Sequence, residues 1–250
     1  MKVAVVIPAR LGSTRFPGKP LAKILNMSML GHVITNAKAS QLAQDVYVAT
    51  CDEAIAEEAK LHGVEPIFTS TTHSRASDRV AEADKILTSS GRIYDLIIML
   101  QGDEPCVSGS EIDRQIQFCQ SNPDIQFTNL VGSITSREEH NSPNSIKCVL
   151  SSERILYMSR LPIPGQGFLE SKFLGKQVCS ISFTRAGLQL FSELPEGNLE
   201  AAESIDMLRL IENGVSIGAL WTDIRSHPVD VPSDIAIVER IIANLPQPGL

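Results

Sequence analysis

Four short apolar runs, at residues 3–8, 46–50, 64–68 and 95–100, alternate with four segments whose apolar residues recur at helical spacing, at 28–40, 53–62, 77–89 and 110–120. Near-continuous apolar runs of this length suit strands covered on both faces, and strands that alternate with helices make right-handed parallel crossovers. The pattern predicts an α/β fold with a Rossmann-like, mostly parallel sheet flanked by helices, and an active cleft built from loops at the strand C-termini. From residue 146 the apolar runs at 146–150, 177–183 and 215–221 alternate with helices less regularly, which predicts a smaller mixed-sheet lobe over about 146–225. A chain of 250 residues with this hydrophobic content fits a single domain, 1–250, to which that lobe belongs. Ser233 is placed to cap a last helix whose Ile235, Val238, Ile241 and Ile242 would pack back on the sheet, and the Pro- and Gly-containing stretch 161–173 reads as a mobile or partner-contacting loop.

The first apolar run leads straight into Ile7-Pro8-Ala9-Arg10-Leu11-Gly12-Ser13-Thr14-Arg15-Phe16-Pro17-Gly18-Lys19-Pro20-Leu21. Arg10, Arg15 and Lys19 spaced among glycines at a strand end form an anion-binding loop, and a nucleoside triphosphate is the natural ligand. The P-loop is excluded, because Gly12 and Gly18 enclose five residues and Pro20 follows Lys19. No Gly-x-Gly-x-x-Gly occurs, so the dinucleotide fingerprint is absent as well. Asp103 follows another apolar run, where a carboxylate beside a triphosphate reads either as a Mg²⁺ ligand or as an Asx-turn or cap leading into the next helix.

Composition narrows the partners. A net charge of −7 without a basic stripe excludes a nucleic-acid binder. The 5 cysteines are odd in number and lack metal-ligand spacing, so they read as reduced packing residues. No apolar stretch approaches the roughly 20 residues of a membrane span, and Pro8 and Arg10 cut short the apolar N-terminus, so the expectation is a cytoplasmic protein with no membrane association.

Read together, the first loop, residues 73–79, Gln101-Gly102-Asp103-Glu104-Pro105, Leu156-Tyr157-Met158-Ser159-Arg160 with Ile163-Pro164, and Val229-Asp230-Val231-Pro232 resemble, in order, the motifs of the CMP-Kdo synthetases, the 3-deoxy-manno-octulosonate cytidylyltransferases. The resemblance implies a nucleotidyltransferase-type fold, a homodimer, and transfer of CMP from CTP to a 2-keto-3-deoxy acidic sugar with release of pyrophosphate, for cell-surface polysaccharide synthesis. It implies Ala9, Arg10, Ser13, Arg15, Lys19, Ser77 and Arg79 at the nucleotide, with Arg10, Lys19 and Asp103 catalytic. It favours the metal role for Asp103 and adds Asp230 as the second Mg²⁺ ligand. At the sugar it implies Gln101, Arg160, Gln177, Glu203 and Asp206, Arg160 offering a bidentate partner to a carboxylate. Asn144 and Lys147 resemble the family's Asn-Pro-Asn-x-Val-Lys segment, a surface turn into a strand being the other reading. His73 resembles the family's nucleotide-side His, while Ser77 also reads as a helix cap with Asp78 in the first turn. His32, His62 and His140 read as ordinary packing residues, and Glu104 reads equally as solvated, structural or functional.

The chain departs from the family pattern where Arg75 and Ala76 replace Ser and Gly. It departs again where Gln177-Val178-Cys179-Ser180-Ile181-Ser182-Phe183 replaces His-Leu-Gly-Ile-Tyr-Gly-Tyr, and where Asp206 and Met207 replace Glu and Gln. Glu200, Glu203 and Asp206, at i, i+3 and i+6, are expected on one helix face. With a His and two phenols gone, weaker use of Kdo is expected, and the two carboxylates Glu203 and Asp206 would suit an amino-substituted octulosonate. A nucleotide-dependent glycosyltransferase or an inactive nucleotide-binding homologue is the reading from another class. Three cations on the first loop and the lack of an Asp-x-Asp pair argue against it.

Overall fold

The computed structural model describes residues 1–13, 15–165, 173–224 and 226–244. In chain order the elements are β1 (Val3–Pro8), β2 (Lys23–Ile24), β3 (Met27–Ser28), α1 (Met29–Lys38), β4 (Asp45–Thr50), α2 (Glu53–Leu61), β5 (Glu65–Phe68), α3 (Ala76–Ser89), β6 (Leu96–Leu100), α4 (Gly109–Ser121) and β7 (Phe127–Gly132). They continue with α5 (Arg137–Asn141), β8 (Lys147–Ser151), β9 (Arg154–Ser159), β10 (Leu174–Thr184), α6 (Arg185–Glu193), α7 (Asn198–Glu203), α8 (Leu208–Glu212), β11 (Ile217–Thr222) and α9 (Asp234–Ala243).

One 9-stranded sheet, ordered β5-β4-β1-β6-β10-β7-β11-β9-β8, organises the molecule. Its first four strands are parallel, as the alternating pattern predicts. The sheet as a whole is mixed, because β10 runs antiparallel between β6 and β7, and β9 and β8 are antiparallel to their neighbours. β8 also pairs with the start of β10, so β10, β7, β11, β9 and β8 close into a ring. The strands of segment 146–225 therefore belong to the same sheet as the parallel half.

Alternation along the strands divides the core. Val3, Val5 and Ile7 of β1 pack with Leu30, Val33 and Ile34 of α1 and with Ile112 and Ile116 of α4. Ala4 and Val6 face the opposite layer, where Val80, Ala83 and Leu87 of α3 meet Leu188 and Phe191 of α6. Ser28 caps α1 and Ser108 caps α4, each accepting a backbone N–H one turn on. The cap of α4 is thus Ser108 and not Asp103.

Three expectations change. α9 begins at Asp234; Ser233 makes no side-chain cap, and Val238 with Ile235, Ile241 and Ile242 packs on Ile24, Met29 and Val229 beside the β2–β3 hairpin instead of on the central sheet. The three carboxylates do not share a helix face, because α7 stops at Glu203 and Ser204 turns left-handed at φ 54. The loop expected at 161–173 falls largely outside the described residues, at 166–172. All five cysteines are free, as expected. Among the described residues no helix is long and apolar enough to cross a membrane.

Candidate active site

The C-terminal ends of β1 and β6 lie side by side. A Cβ on Gly102 would sit 3.3 Å from the carbonyl oxygen of Pro8, so a larger residue there would push the two strand ends apart. Past β1 the Ala9 N–H still pairs with the Ala49 carbonyl, and the chain then swings out through the cationic loop. Asp52 accepts the Leu11 N–H at 2.8 Å, and Gly18, at φ 70, turns the chain into a short helical turn at Lys19–Leu21. A cleft of about 490 Å³ opens between this loop and the ring of strands. Ala9, Arg10, Ser13, Arg15, Lys19, Arg79, Gln101, Asp103, Arg160, Gln177, Asp206 and Asp230 all line it.

Charge is concentrated at one end. Lys19 Nζ lies 2.8 Å from Asp103 Oδ2 and 3.5 Å from Asp230 Oδ1, with the lysine side chain 13% exposed. Burial opposes the ammonium charge, but Asp103 and Asp230 outweigh it and raise Lys19 above its ordinary value. Arg15 donates to Asp230 Oδ1 at 2.9 Å and to Asn144 Oδ1 at 2.5 Å, crossing the cleft from the first loop to the turn before β8. Arg10 remains exposed, one donor reaching the His73 carbonyl at 3.2 Å.

Backbone contacts bring the distant aspartates together. The Val229 N–H donates to the Asp103 carbonyl at 3.1 Å, and Asp234 accepts the Asp230 and Val231 N–H groups, so the last loop is pinned against β6. Asp103 Oδ1 is buried without a hydrogen-bond partner, an arrangement that costs free energy unless a cation completes it. No cluster of three or more His, Cys, Asp or Glu suited to a metal exists among the described residues. Two carboxylates with an orphaned oxygen beside a phosphate loop nevertheless fit Mg²⁺, which takes one or two protein carboxylates and fills its shell with phosphate oxygens and water. Glu104 points away and is buried, accepting the Cys179 N–H at 2.9 Å and the Ser226 hydroxyl. Burial, with Asp103 adding to it, pushes its carboxyl up to about 7. Its role is to join the last loop to β10.

The wall opposite the first loop is the N-terminal turn of α3. Helix α3 starts at Ala76, so Ser77 is not its cap; the Ser77 N–H and hydroxyl both donate to Asp206, at 3.0 and 2.8 Å. Ser77 is not among the residues lining the cleft. Arg79 is 2% exposed and donates to Thr69 Oγ1 at 2.5 Å, while its Nη2 is buried without a partner. His73 lines the cleft with its ring held by Glu82 at 2.5 Å. His32, His62 and His140 pack as expected, on the Ile24 carbonyl, on Glu58 and on the Ile163 carbonyl.

On the remaining side Arg160 is held at three nitrogens by carbonyls of Glu203, Pro143 and Ser204, which leaves one N–H on each terminal nitrogen for a ligand. Glu203 does not line the cleft, its carboxylate being taken by the Ser159 hydroxyl and the Arg160 N–H. Lys147 is buried and gathers the carbonyls of Ser142, Ser145 and Arg160, fastening the turn that carries Asn144 to the end of β9. Of the positions that depart from the family pattern, Arg75, Ala76, Gln177, Cys179, Ile181 and Asp206 reach the cleft, whereas Phe183 and Met207 are fully buried in the core. A β-bulge between Val178 and Ile181 shifts the register there, a displacement that a period-two reading of the strand does not reveal. Arg75, Ser204 and Ile205 also line the cleft, unassigned by the sequence reading; the only signal was Arg75 as a departure from the motif.

The family model described as Cytidylyltransferase matches residues 4–217. A 3-deoxy-manno-octulosonate cytidylyltransferase of Thermodesulfovibrio yellowstonii is 36% identical, over 97% of this chain and 98% of its own length. An 8-amino-3,8-dideoxy-manno-octulosonate cytidylyltransferase of Shewanella piezotolerans is 35% identical, over 97% and 99%. The solved structure of a CMP:2-keto-3-deoxy-manno-octonic acid synthetase complexed with CTP superposes with a TM-score of 0.85 at 32% identity, covering 97% of this chain and 99% of that one.

Proposed function

This chain belongs to the cytidylyltransferase family, and we propose that it activates a 2-keto-3-deoxy acidic sugar of the Kdo type with CTP, giving the CMP-sugar and pyrophosphate. The observation that carries this reading is the Lys19 ammonium held between Asp103 and Asp230 at the closed end of a loop that also bears Arg10 and Arg15. In the reaction the anomeric hydroxyl oxygen bonds to the α-phosphorus, the bond to the β-phosphate oxygen breaks, and the hydroxyl proton is released. Lys19 and Arg10 offset the charge that gathers on the departing pyrophosphate, and Arg15 holds the triphosphate in line. Arg79, with its spare buried donor, faces the nucleotide beside Ala9 and Ser13, and Ser77 acts through Asp206. Arg160 takes the sugar carboxylate through its two remaining N–H groups, while Gln101, Gln177 and Asp206 meet the hydroxyls. Asp103 and Asp230 would hold Mg²⁺, which when bound supplies neutralisation of phosphate charge.

Relatives named for Kdo and for its 8-amino analogue match this chain about equally, so the choice rests on chemistry. Glu203 is committed to Ser159 and Arg160 and lies outside the cleft, whereas Asp206 takes both Ser77 bonds on Oδ2 and keeps Oδ1 for the sugar. One available carboxylate in place of two supports the hydroxyl-bearing sugar. Segment 146–225 supplies this side of the cleft as the sugar-binding lobe. A second copy of the chain is proposed to pack on the exposed Leu156, Leu161 and Phe173, and the CTP requirement assigns the reaction to the cytoplasm. Pyrophosphate release from CTP across a panel of 2-keto-3-deoxy sugar acids tests the reading, with Kdo and its 8-amino analogue in direct competition. No release with any member overturns it, and exclusive use of the amino sugar overturns the choice of substrate.

A further inference from the structure

Ser204 stands at the corner between α7 and α8 with φ 54 and ψ 50, a left-handed conformation that a residue with a Cβ adopts rarely. Two guanidinium groups meet on it. Arg160 Nη2 donates to its carbonyl at 3.1 Å, and Arg75 Nη1 donates to its hydroxyl at 2.6 Å. The neighbouring Glu203 carbonyl takes Arg160 Nε at 2.8 Å, so two of the three carbonyls that orient Arg160 belong to this corner. Arg75 reaches it from the turn before α3, on the nucleotide side of the cleft, and its other close bonds go to Glu196 Oε1 at 2.8 Å and the Glu200 carbonyl at 3.2 Å. It is not needed to neutralise the buried Glu200, whose two oxygens are already taken by Arg209 at 2.8 Å each; Arg75 Nε stands 3.5 Å away and has no hydrogen-bond partner.

We propose that Arg75 is a positioning residue for the acidic substrate: by holding Ser204 in its left-handed turn it fixes the carbonyls that aim Arg160. The proposal rests on the sugar-acid reading above. A planar fork is required for it, because one guanidinium spans the Ser204 hydroxyl, Glu196 and the Glu200 carbonyl at once, which an ammonium cannot do in the same geometry.

The test uses Arg75→Met and Arg75→Lys beside the parent. Loss of the fork should raise KM for the sugar acid about tenfold while KM for CTP and kcat stay within about twofold, the size of effect expected when one hydrogen bond to a charged group is removed. Arg75→Lys should fail to restore it. Restoration by Lys would mean that charge alone matters, and a shift in KM for CTP instead would put Arg75 on the nucleotide; either result overturns the proposal, as does an unchanged KM. A second readout needs no turnover. Hydrogen exchange of the Arg160 Nε–H, assigned by NMR through its loss in Arg160→Lys, should quicken in Arg75→Met in the ligand-free protein. Unaltered protection with a raised KM would mean that Arg75 touches the substrate itself, and would overturn the positioning role. Should Arg75→Met fail to fold, Ser204→Ala removes the same bond from the other end and carries the same expectations. If the parent turns over no sugar acid, the functional reading fails, and the exchange measurement still decides the role of Arg75.

Discussion

A carboxylate with one oxygen on Lys19 and the other buried and unpaired is poised for a ligand, and Asp103 is therefore the residue whose charge should matter most. Asp103→Asn keeps its volume and removes the charge; pyrophosphate release should fall on the order of a hundredfold or more while the melting temperature stays close to the parental value. Lys19→Ala should lose comparable rate, whereas Lys60→Ala, which breaks exposed pairs with Glu57 and Glu53, should lose almost none. Near-parental turnover in Asp103→Asn would return that residue to a structural role. Glu104 makes a different prediction. Its folded pKa of about 7 lies above the ordinary 4.5, so the folded protein holds this proton more firmly than the unfolded chain. The stability this provides is complete below about pH 4.5 and is lost as pH rises through about 7, a change on the order of 3 kcal/mol. Denaturant titrations at pH 5 and pH 8 with chelator present should show this slope in the parent and a flatter one in Glu104→Gln.

At the scale of elements, helix α4 approaches α1 through a glycine. A Cβ on Gly109 would lie 2.5 Å from the Ala39 carbonyl carbon and the Ser40 nitrogen, which are backbone atoms and cannot rotate aside. Gly109→Ala should therefore cost about 1–3 kcal/mol, read as a lowered denaturation midpoint with an unchanged slope. Elements also mark where the sequence was legible. The parallel strands β4, β1 and β6 show as unbroken apolar runs, because both faces of each are covered. Strand β7 does not, since it reads Phe-Thr-Asn-Leu-Val-Gly with every position buried. Gln115 donates to the Thr128 carbonyl, and the Asn129 side chain bonds to the Val178 and Leu130 carbonyls, so polar residues sit in the core with partners that periodicity cannot anticipate. The acidic series at 200, 203 and 206 misleads for a related reason: spacing places three carboxylates on a helix, but the helix stops at Glu203 and each finds its own cation or hydroxyl donor.

For the whole molecule the legible part was chemical. Arg10, Arg15, Lys19, Asp103 and Asp230 come from three distant stretches of chain and share one cleft, because loops after parallel strands open on the same edge of the sheet. The side chains proposed for the sugar side were harder to read, since a bulge and a core position, Cys179 and Phe183, look alike in a strand seen only as letters. If the cleft grips a triphosphate, CTP should protect the parent against heat more than CMP does at the same ligand concentration, because contacts to the β- and γ-phosphates lower its dissociation constant. At about 100 times its dissociation constant a ligand adds about 2.7 kcal/mol. Scanning calorimetry with Lys19→Ala as control measures it, and equal protection by both nucleotides would remove the β- and γ-phosphates from the loop.

The closed ring of β10, β7, β11, β9 and β8 also bears on how the protein keeps to itself. Once β8 has returned to β10, every strand of the large sheet except β5 has neighbours on both sides, so among the described residues one open edge is left. That edge is only 4 residues long, carries the charge of Glu65, and includes Pro66, which has no N–H to offer another chain. Growth of the sheet from molecule to molecule is thereby blocked at one end by closure and at the other by chemistry, and association between copies must proceed through side-chain surfaces.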